Sequence, residues 1–256
     1  MMAPPGRALA YLDFSAMEFG VAAGLSRCET KLSDYHGEPY LILPILAGLE
    51  PPNATRETHG EQRDRYKPLV LATQYGGGAG LWAHRLGIRK QQGQRVVDLH
   101  HDRYAGYWEW SDWKLQRAFD EGELVSRDGW RCGVTSRTSI FTARNWLIQT
   151  IAQAIFRYAG LMIRHLGITI CAIVHDAVLI ESDADRIDED VARATLCLER
   201  ASRRFLHGMT LRVDPKIIRE GERFVDKRGV SLWNFVDNTL HEIEEGIIDV
   251  SETDVA

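Results

Sequence analysis

Cysteine is scarce in this sequence and dispersed: Cys28, Cys132, Cys171 and Cys197 form no CxxC pair. Neither a zinc site nor a disulfide framework is indicated, and a reducing cytoplasm is the compartment that fits. Long hydrophobic runs are missing too. No stretch approaches the ~20 apolar residues of a membrane span, and the start, Met1-Met2-Ala3-Pro4-Pro5-Gly6, has no apolar signal-peptide core, so no membrane partner is expected. Positive charge is not in excess: the formal net charge is -5, which excludes a general basic field and leaves only a local patch for any nucleic acid. There is no internal repeat. What is present is 256 residues, 45% hydrophobic and 26% charged, the balance of a globular protein able to bury one large core or two modest ones.

The chain reads as a series of blocks. Ala8 to Leu12 is short and apolar and ends in Asp13-Phe14-Ser15, so it predicts a buried strand presenting Asp13 at its end. A helix over Met17 to Leu25 follows, with Ser15 and Glu18 expected in its first turn. After a loop from Glu50 to Gly60, the run from Glu61 to Tyr75 predicts a helix stopped by Gly76-Gly77-Gly78. The aromatics Tyr104, Tyr107, Trp108, Trp110 and Trp113 recur at near-helical spacing, which points to a core face rather than a base-stacking surface. Asn145 to His165 is again helical. Ile168 to Glu181 is nearly all apolar except for His175-Asp176, as two strands joined by a tight turn would be. Asp183 to Leu206 predicts a surface helix, and Leu211 to Ile218 a last strand that Pro215 confines to an edge.

Asp13 and Asp176 both lie where an apolar strand gives way to a turn. Singly, such an aspartate is usually a turn former or helix cap. Together, two carboxylates on adjacent strands can hold two Mg²⁺ ions that clamp the oxygens of an in-line phosphoryl transfer. Arg63 and Lys67 share one face of a predicted helix. They form either a solvated basic face or a cradle for a triphosphate, in which the lysine also donates a proton to the departing group.

Taken in order, these blocks resemble the signatures of family A DNA polymerases, the DNA polymerase I type. Asp13-Phe14-Ser15-Ala16-Met17-Glu18-Phe19 resembles the first, Arg63-Asp64-Arg65-Tyr66-Lys67 with Tyr75-Gly76 the second, and Val174-His175-Asp176 the third; Asn145 and Gln149 match the spacing on the helix before the third. The resemblance covers roughly residues 8 to 224. It implies metal binding by Asp13, Asp176 and the carbonyl of Phe14, and triphosphate binding by Arg63 and Lys67. It further implies that Glu18 gates the sugar, that Leu71 and Tyr75 lie by the incoming nucleotide, and that Asn145, Gln149 and His175 contact the DNA. The expected partners are a DNA primer-template and deoxynucleoside triphosphates, and the expected cofactor is a pair of Mg²⁺ ions.

The resemblance also implies an α+β fold: an antiparallel palm sheet with an inserted helical fingers subdomain. The expected division is palm at 1–36, fingers at 37–130, palm again at 131–224, and a poorly ordered acidic extension at 225–256. There are departures. Ala177 stands where a second acid is usual, Gly20 where many relatives carry an arginine, and Leu71 where an aromatic is common. Pro68 follows Lys67 directly, and is tolerated only if the helix begins near Asp64 or Arg65; an earlier start puts Lys67 at a kink. The thumb and exonuclease domain of the family would precede Asp13, where about a dozen residues stand. The expected activity is template-directed addition of deoxynucleotides to a primer 3′ end, with a thumb supplied by a separate chain. The alternative is a thumbless remnant that binds DNA or a partner and is inactive alone. An unrelated metal-dependent nuclease would leave the Arg63 to Tyr75 helix unexplained.

Overall fold

In Arg7–Phe14 (β1) side chains alternate between two environments: Ala8, Ala10, Leu12 and Phe14 are buried on one face, while Tyr11 and Asp13 are half-buried on the other. The strand belongs to a computed structural model that describes residues 2–225 and 229–247. β1 is central in a four-stranded antiparallel sheet. It pairs with Ala177–Asp183 (β5) on one side and Val213–Ile218 (β6) on the other, while Thr169–Val174 (β4) continues the sheet beyond β5. Pro215 thus sits on an edge strand, where a missing N–H costs no ladder bond.

Behind the sheet lie two long helices, Ile140–His165 (α8) and Ile187–Phe205 (α9). Ile148, Ile151, Ile155 and Leu198 pack with Leu12, Phe14, Val178 and Ile180 in the main core. Burying such side chains contributes about 1.5–3 kcal/mol each, which is why these periodic stretches hold the fold. The front face, with Asp13, carries only a small cluster of Ala3, Leu9, Leu179 and Ile218.

Between β1 and β4 the chain is helical: Met17–Ser26 (α1), Glu29–His36 (α2), Ile42–Ala47 (α3), Gly60–Gln74 (α4), Ala79–Leu86 (α5), Lys90–Arg103 (α6) and Ala105–Glu121 (α7). A small hairpin, Glu123–Val125 (β2) with Arg131–Gly133 (β3), leads into α8. The architecture is the expected α+β one, an antiparallel sheet with a helical insertion. The aromatic block is divided at Tyr104 between α6 and α7; Tyr104, Tyr107 and Trp108 are buried as a core face, whereas Trp113 is exposed.

One local expectation needs correction. Ser15 is outside α1, because Ala16 takes a left-handed backbone at φ 51°; the Ser15 N–H instead donates to the Arg212 carbonyl at 2.9 Å. The helix α4 begins at Gly60, within a residue of the expected Glu61, so of the two places left open for Pro68 it takes the interior one, and the Asp64 carbonyl has no helical N–H from that position. In the C-terminal extension, Val230–Glu244 (α10) forms a helix. Residues 226–228 and 248–256 of that extension lie outside the described residues.

Candidate active site

The two aspartates are brought to one end of the sheet by backbone hydrogen bonding. His175 and Asp176 form the two-residue turn between β4 and β5, and His175, exposed, adopts φ 56° to close it. Beyond the last β1–β5 pair, Asp13 with Ala177, the Phe14 N–H donates to the Asp176 carbonyl at 3.1 Å. Phe14 itself is buried edge-on against Phe156 of α8, which fixes the strand end.

The register exposes a residue that the sequence reading passed over. Asp13 pairs with Ala177 on β5 and with Asp214 on β6, so all three point to the front face. Where one neighbouring strand offers a methyl group, the other offers a carboxylate. The signal was present in the last strand, but one-residue register cannot be read from sequence across two hundred positions.

Glu18, half-buried in the first turn of α1, accepts a hydrogen bond of 2.5 Å from the Tyr75 hydroxyl. Burial, followed by the Glu18 charge, raises the pKa of that phenol, so it remains a donor. Gln74 Nε2 reaches the Glu18 carbonyl at 3.4 Å, and the Tyr107 hydroxyl donates to the Gln74 carbonyl at 2.7 Å. The end of α4 is thereby tied to α1 and α7. Gly20, one turn beyond Ala16, is required by packing: a Cβ there would lie 2.5 Å from Leu211 and 2.6 Å from Tyr35.

Tyr40, buried at the entrance to α3, lies beneath two cations of α4. The Arg63 guanidinium lies 5.0 Å above its ring and Lys67 Nζ 5.8 Å. Burial raises the Tyr40 pKa, Arg63 opposes the rise, and the charges of Glu18 and Asp176 add to it. One cation of α4 and two carboxylates therefore act on the hydroxyl, while Lys67 lies over the ring. Arg63 is engaged by Glu38 at 3.3 Å, whereas Lys67 is exposed. Leu71, half-buried, packs on the main core.

Along α8, Phe141, Asn145 and Gln149 recur every four residues and share a face. The Phe141 ring meets Tyr75 edge-on at 5.8 Å, which aligns that face with the end of α4. Next to it, buried Arg144 bonds Ser111 at 2.6 Å, the Tyr75 carbonyl at 3.4 Å and Asp112, and stacks over Trp108. Nothing in the pattern around Arg144 distinguished it from a surface arginine.

For a divalent cation, the donor set is hard carboxylate oxygen. Among the described residues no group of three or more His, Cys, Asp or Glu side chains closes on one point. Asp13 and Asp176 are oxygen donors of the kind Mg²⁺ takes, an ion commonly held by one or two carboxylates together with substrate phosphates.

No family model matches the sequence. Over 187 residues, 72% of this chain, it is 25% identical to a DNA polymerase of Mycobacterium phage D29, of which it covers 30%. The fold superposes on the POL domain of Pol1 from M. smegmatis, solved in complex with DNA primer-template and dNTP. The TM-score is 0.70 and the identity 20%, over 86% of this chain and 41% of that one. The chain thus spans less than half the length of either protein. Its fold is that of a DNA polymerase palm and fingers region.

Proposed function

We propose that this chain forms the palm and fingers of a DNA polymerase and adds deoxynucleotides to a primer 3′ end under the direction of a template. The observations that support the proposal are the two α4 cations over the Tyr40 ring, Arg63 at 5.0 Å and Lys67 at 5.8 Å, and the two aspartates at one end of the sheet, where the Phe14 N–H bonds the Asp176 carbonyl. A nucleotide in that cleft would have cations for its phosphates on one wall and carboxylates for metal ions on the other.

Asp13 and Asp176 would hold two Mg²⁺ ions, with the Phe14 carbonyl contributing, and Asp214 would supply the carboxylate that Ala177 lacks. When bound, the ions would lower the charge repulsion between the primer 3′ oxygen and the phosphate it attacks. The protein groups do the rest. Arg63 and Lys67 grip the β- and γ-phosphates, and Lys67 can hand a proton to pyrophosphate as it leaves. Glu18, held by Tyr75, fills the space beneath the sugar's 2′ carbon, while Leu71 and Tyr75 border the base. Asn145 and Gln149 offer amides to the minor-groove acceptors that every correct pair presents, and His175 steadies the primer end.

The test is single-nucleotide addition by the full chain on a primer-template, with Mg²⁺ and each of the four deoxynucleotides. Incorporation should follow the template base and disappear in Asp13→Ala. Absence of templated addition under conditions where the DNA is demonstrably bound would refute the proposal.

A further inference from the structure

The acidic extension carries an apolar helix face that the fold leaves uncovered. No residue of α10 is buried. Leu232, Trp233, Phe235 and Leu240 are exposed by 66%, 47%, 67% and 53%, values normally avoided by a monomer unless the surface is used. These side chains are patterned. Trp233, Val236, Leu240 and Ile243 recur at spacings of three and four, the seam of a helix that pairs with another helix. A left-handed Gly246 ends the element: its N–H donates to the Ile243 carbonyl and the Ile247 N–H to Glu242.

The helix is held at its beginning. The Arg223 guanidinium stacks 3.8 Å over Trp233, and an open groove of about 510 Å³ runs there between Phe224, Val225, Val230 and Asp237. Phe224 in turn packs on Tyr11 of β1. The segment leaves the edge strand after Ile218, which lies opposite Leu9, at the other end of β1 from Asp13.

Charge selects the occupant. From Gly229 to Ala256 the sequence has seven acids, Asp237, Glu242, Glu244, Glu245, Asp249, Glu252 and Asp254, and no lysine or arginine. That charge repels DNA phosphates and anionic lipid, and it repels a second copy of the same helix. Asp237 and Glu244 each directly follow a seam residue, the flanking position at which paired helices exchange ion pairs. We propose that α10 is a docking helix for a separate protein chain, which presents an amphipathic helix with an apolar seam flanked by lysine or arginine. The site goes beyond the polymerase reading and does not depend on it.

The probe is a labelled synthetic peptide of about three heptads with leucine and isoleucine on its seam and lysine on its flanks. Titrated against the full chain by fluorescence anisotropy, it should bind saturably. Binding should weaken at least tenfold in Val236→Asp/Leu240→Asp, and at least tenfold when glutamate replaces the peptide's lysines. The double variant should keep the far-ultraviolet circular dichroism of the body and its templated nucleotide addition, since it touches neither sheet nor cleft. Equal binding of the lysine and glutamate peptides would overturn the proposal, as would no binding at all. It would equally be overturned by α10-dependent self-association of the chain in sedimentation, or by binding to lipid vesicles that the double variant abolishes.

Discussion

The Tyr75 hydroxyl donates a 2.5 Å hydrogen bond to Glu18 Oε2, joining the end of α4 to the first turn of α1. A carboxylate acceptor makes this one of the stronger side-chain bonds, worth about 1.5–3 kcal/mol. It fixes the Glu18 side chain, and a fixed side chain can exclude a 2′-hydroxyl where a mobile one would move aside.

Glu18→Ala should therefore admit ribonucleotides, lowering discrimination between ATP and dATP by at least about tenfold, since one lost steric contact is worth about 1–3 kcal/mol. Tyr75→Phe removes only the tether and should relax discrimination less. Single-turnover incorporation of the two nucleotides measures both, and unchanged selectivity in Glu18→Ala would remove it from the sugar site.

Asp13→Ala and Asp176→Ala should each reduce nucleotide addition about a thousandfold or more, because several kcal/mol of charge stabilisation disappear with a ligand. Thermal melts should be unchanged or slightly raised, since close carboxylates repel one another. Asp214→Ala should cost less, and should weaken Mn²⁺ binding followed by electron paramagnetic resonance. If Mn²⁺ binding is insensitive to Asp214, the third carboxylate plays no part.

Lys67→Ala should raise the KM for every deoxynucleotide about tenfold or more while leaving the Kd for primer-template within about twofold, as losing one cation–phosphate contact costs about 1.5–3 kcal/mol. Equal losses in both would identify Lys67 as a contact to the DNA backbone, with a salt slope reduced by about one.

Lys31 of α2 is fully buried, its ammonium 3.8 Å from the Phe19 ring centroid, 4.3 Å from Tyr104 and 4.9 Å from Tyr107. Burial pushes its pKa down to about 7, while Cys28 and Asp34 on its own side work against the fall; buried His100 of α6 is held neutral. Asp34 is itself paired with Arg103 at 2.6 Å and Tyr104 at 2.8 Å. The unfolded lysine keeps its proton to about 10.4. Between pH 7 and 10 unfolding therefore takes up a proton, and this group makes stability rise with pH. Below pH 7 its full penalty is present, offset by roughly 2 kcal/mol from the ring faces. Lys31→Met should raise Tm by several degrees at pH 6 and by much less at pH 10. A Tm difference independent of pH would contradict the assignment.

The four strands of the main sheet and the long helices were legible in the sequence because each has one dominant pattern, whereas the three-residue strands β2 and β3 were not read. From Ile170 to Ile180 the β4–β5 stretch is apolar and broken only by His175-Asp176, so the turn could be placed to the residue. The resemblance supplied the order of Asp13, Arg63, Lys67 and Asp176, whereas the packing of Arg63 and Lys67 over the Tyr40 ring emerged only in the structure. Tyr40 was quoted only as part of a lesser similarity, because a tyrosine at a helix entrance has no pattern of its own. Arg144 and Lys31 were invisible for the same reason: a buried cation is recognisable only by the rings and carboxylates around it, which come from other helices. The helix α4 was legible to within a residue, Glu61 to Tyr75 against Gly60–Gln74, and of the two places left open for Pro68 the interior one holds, with Tyr66, Leu69 and Val70 packed around it.

The central strand of the sheet is also the first to be made, and both its neighbours come late: β1 pairs with β5 and β6, which end at Asp183 and Ile218. During synthesis the apolar face of β1 must wait through the whole helical insertion before a partner strand exists. Pairings so distant in sequence make for slow closure, and an unpaired apolar strand is exposed to aggregation in the interval. Chains stalled before Ile218 would carry every helix of the insertion and still have an unfinished sheet. Limited proteolysis of ribosome-bound products of increasing length would register this as a single late gain of protection around β1.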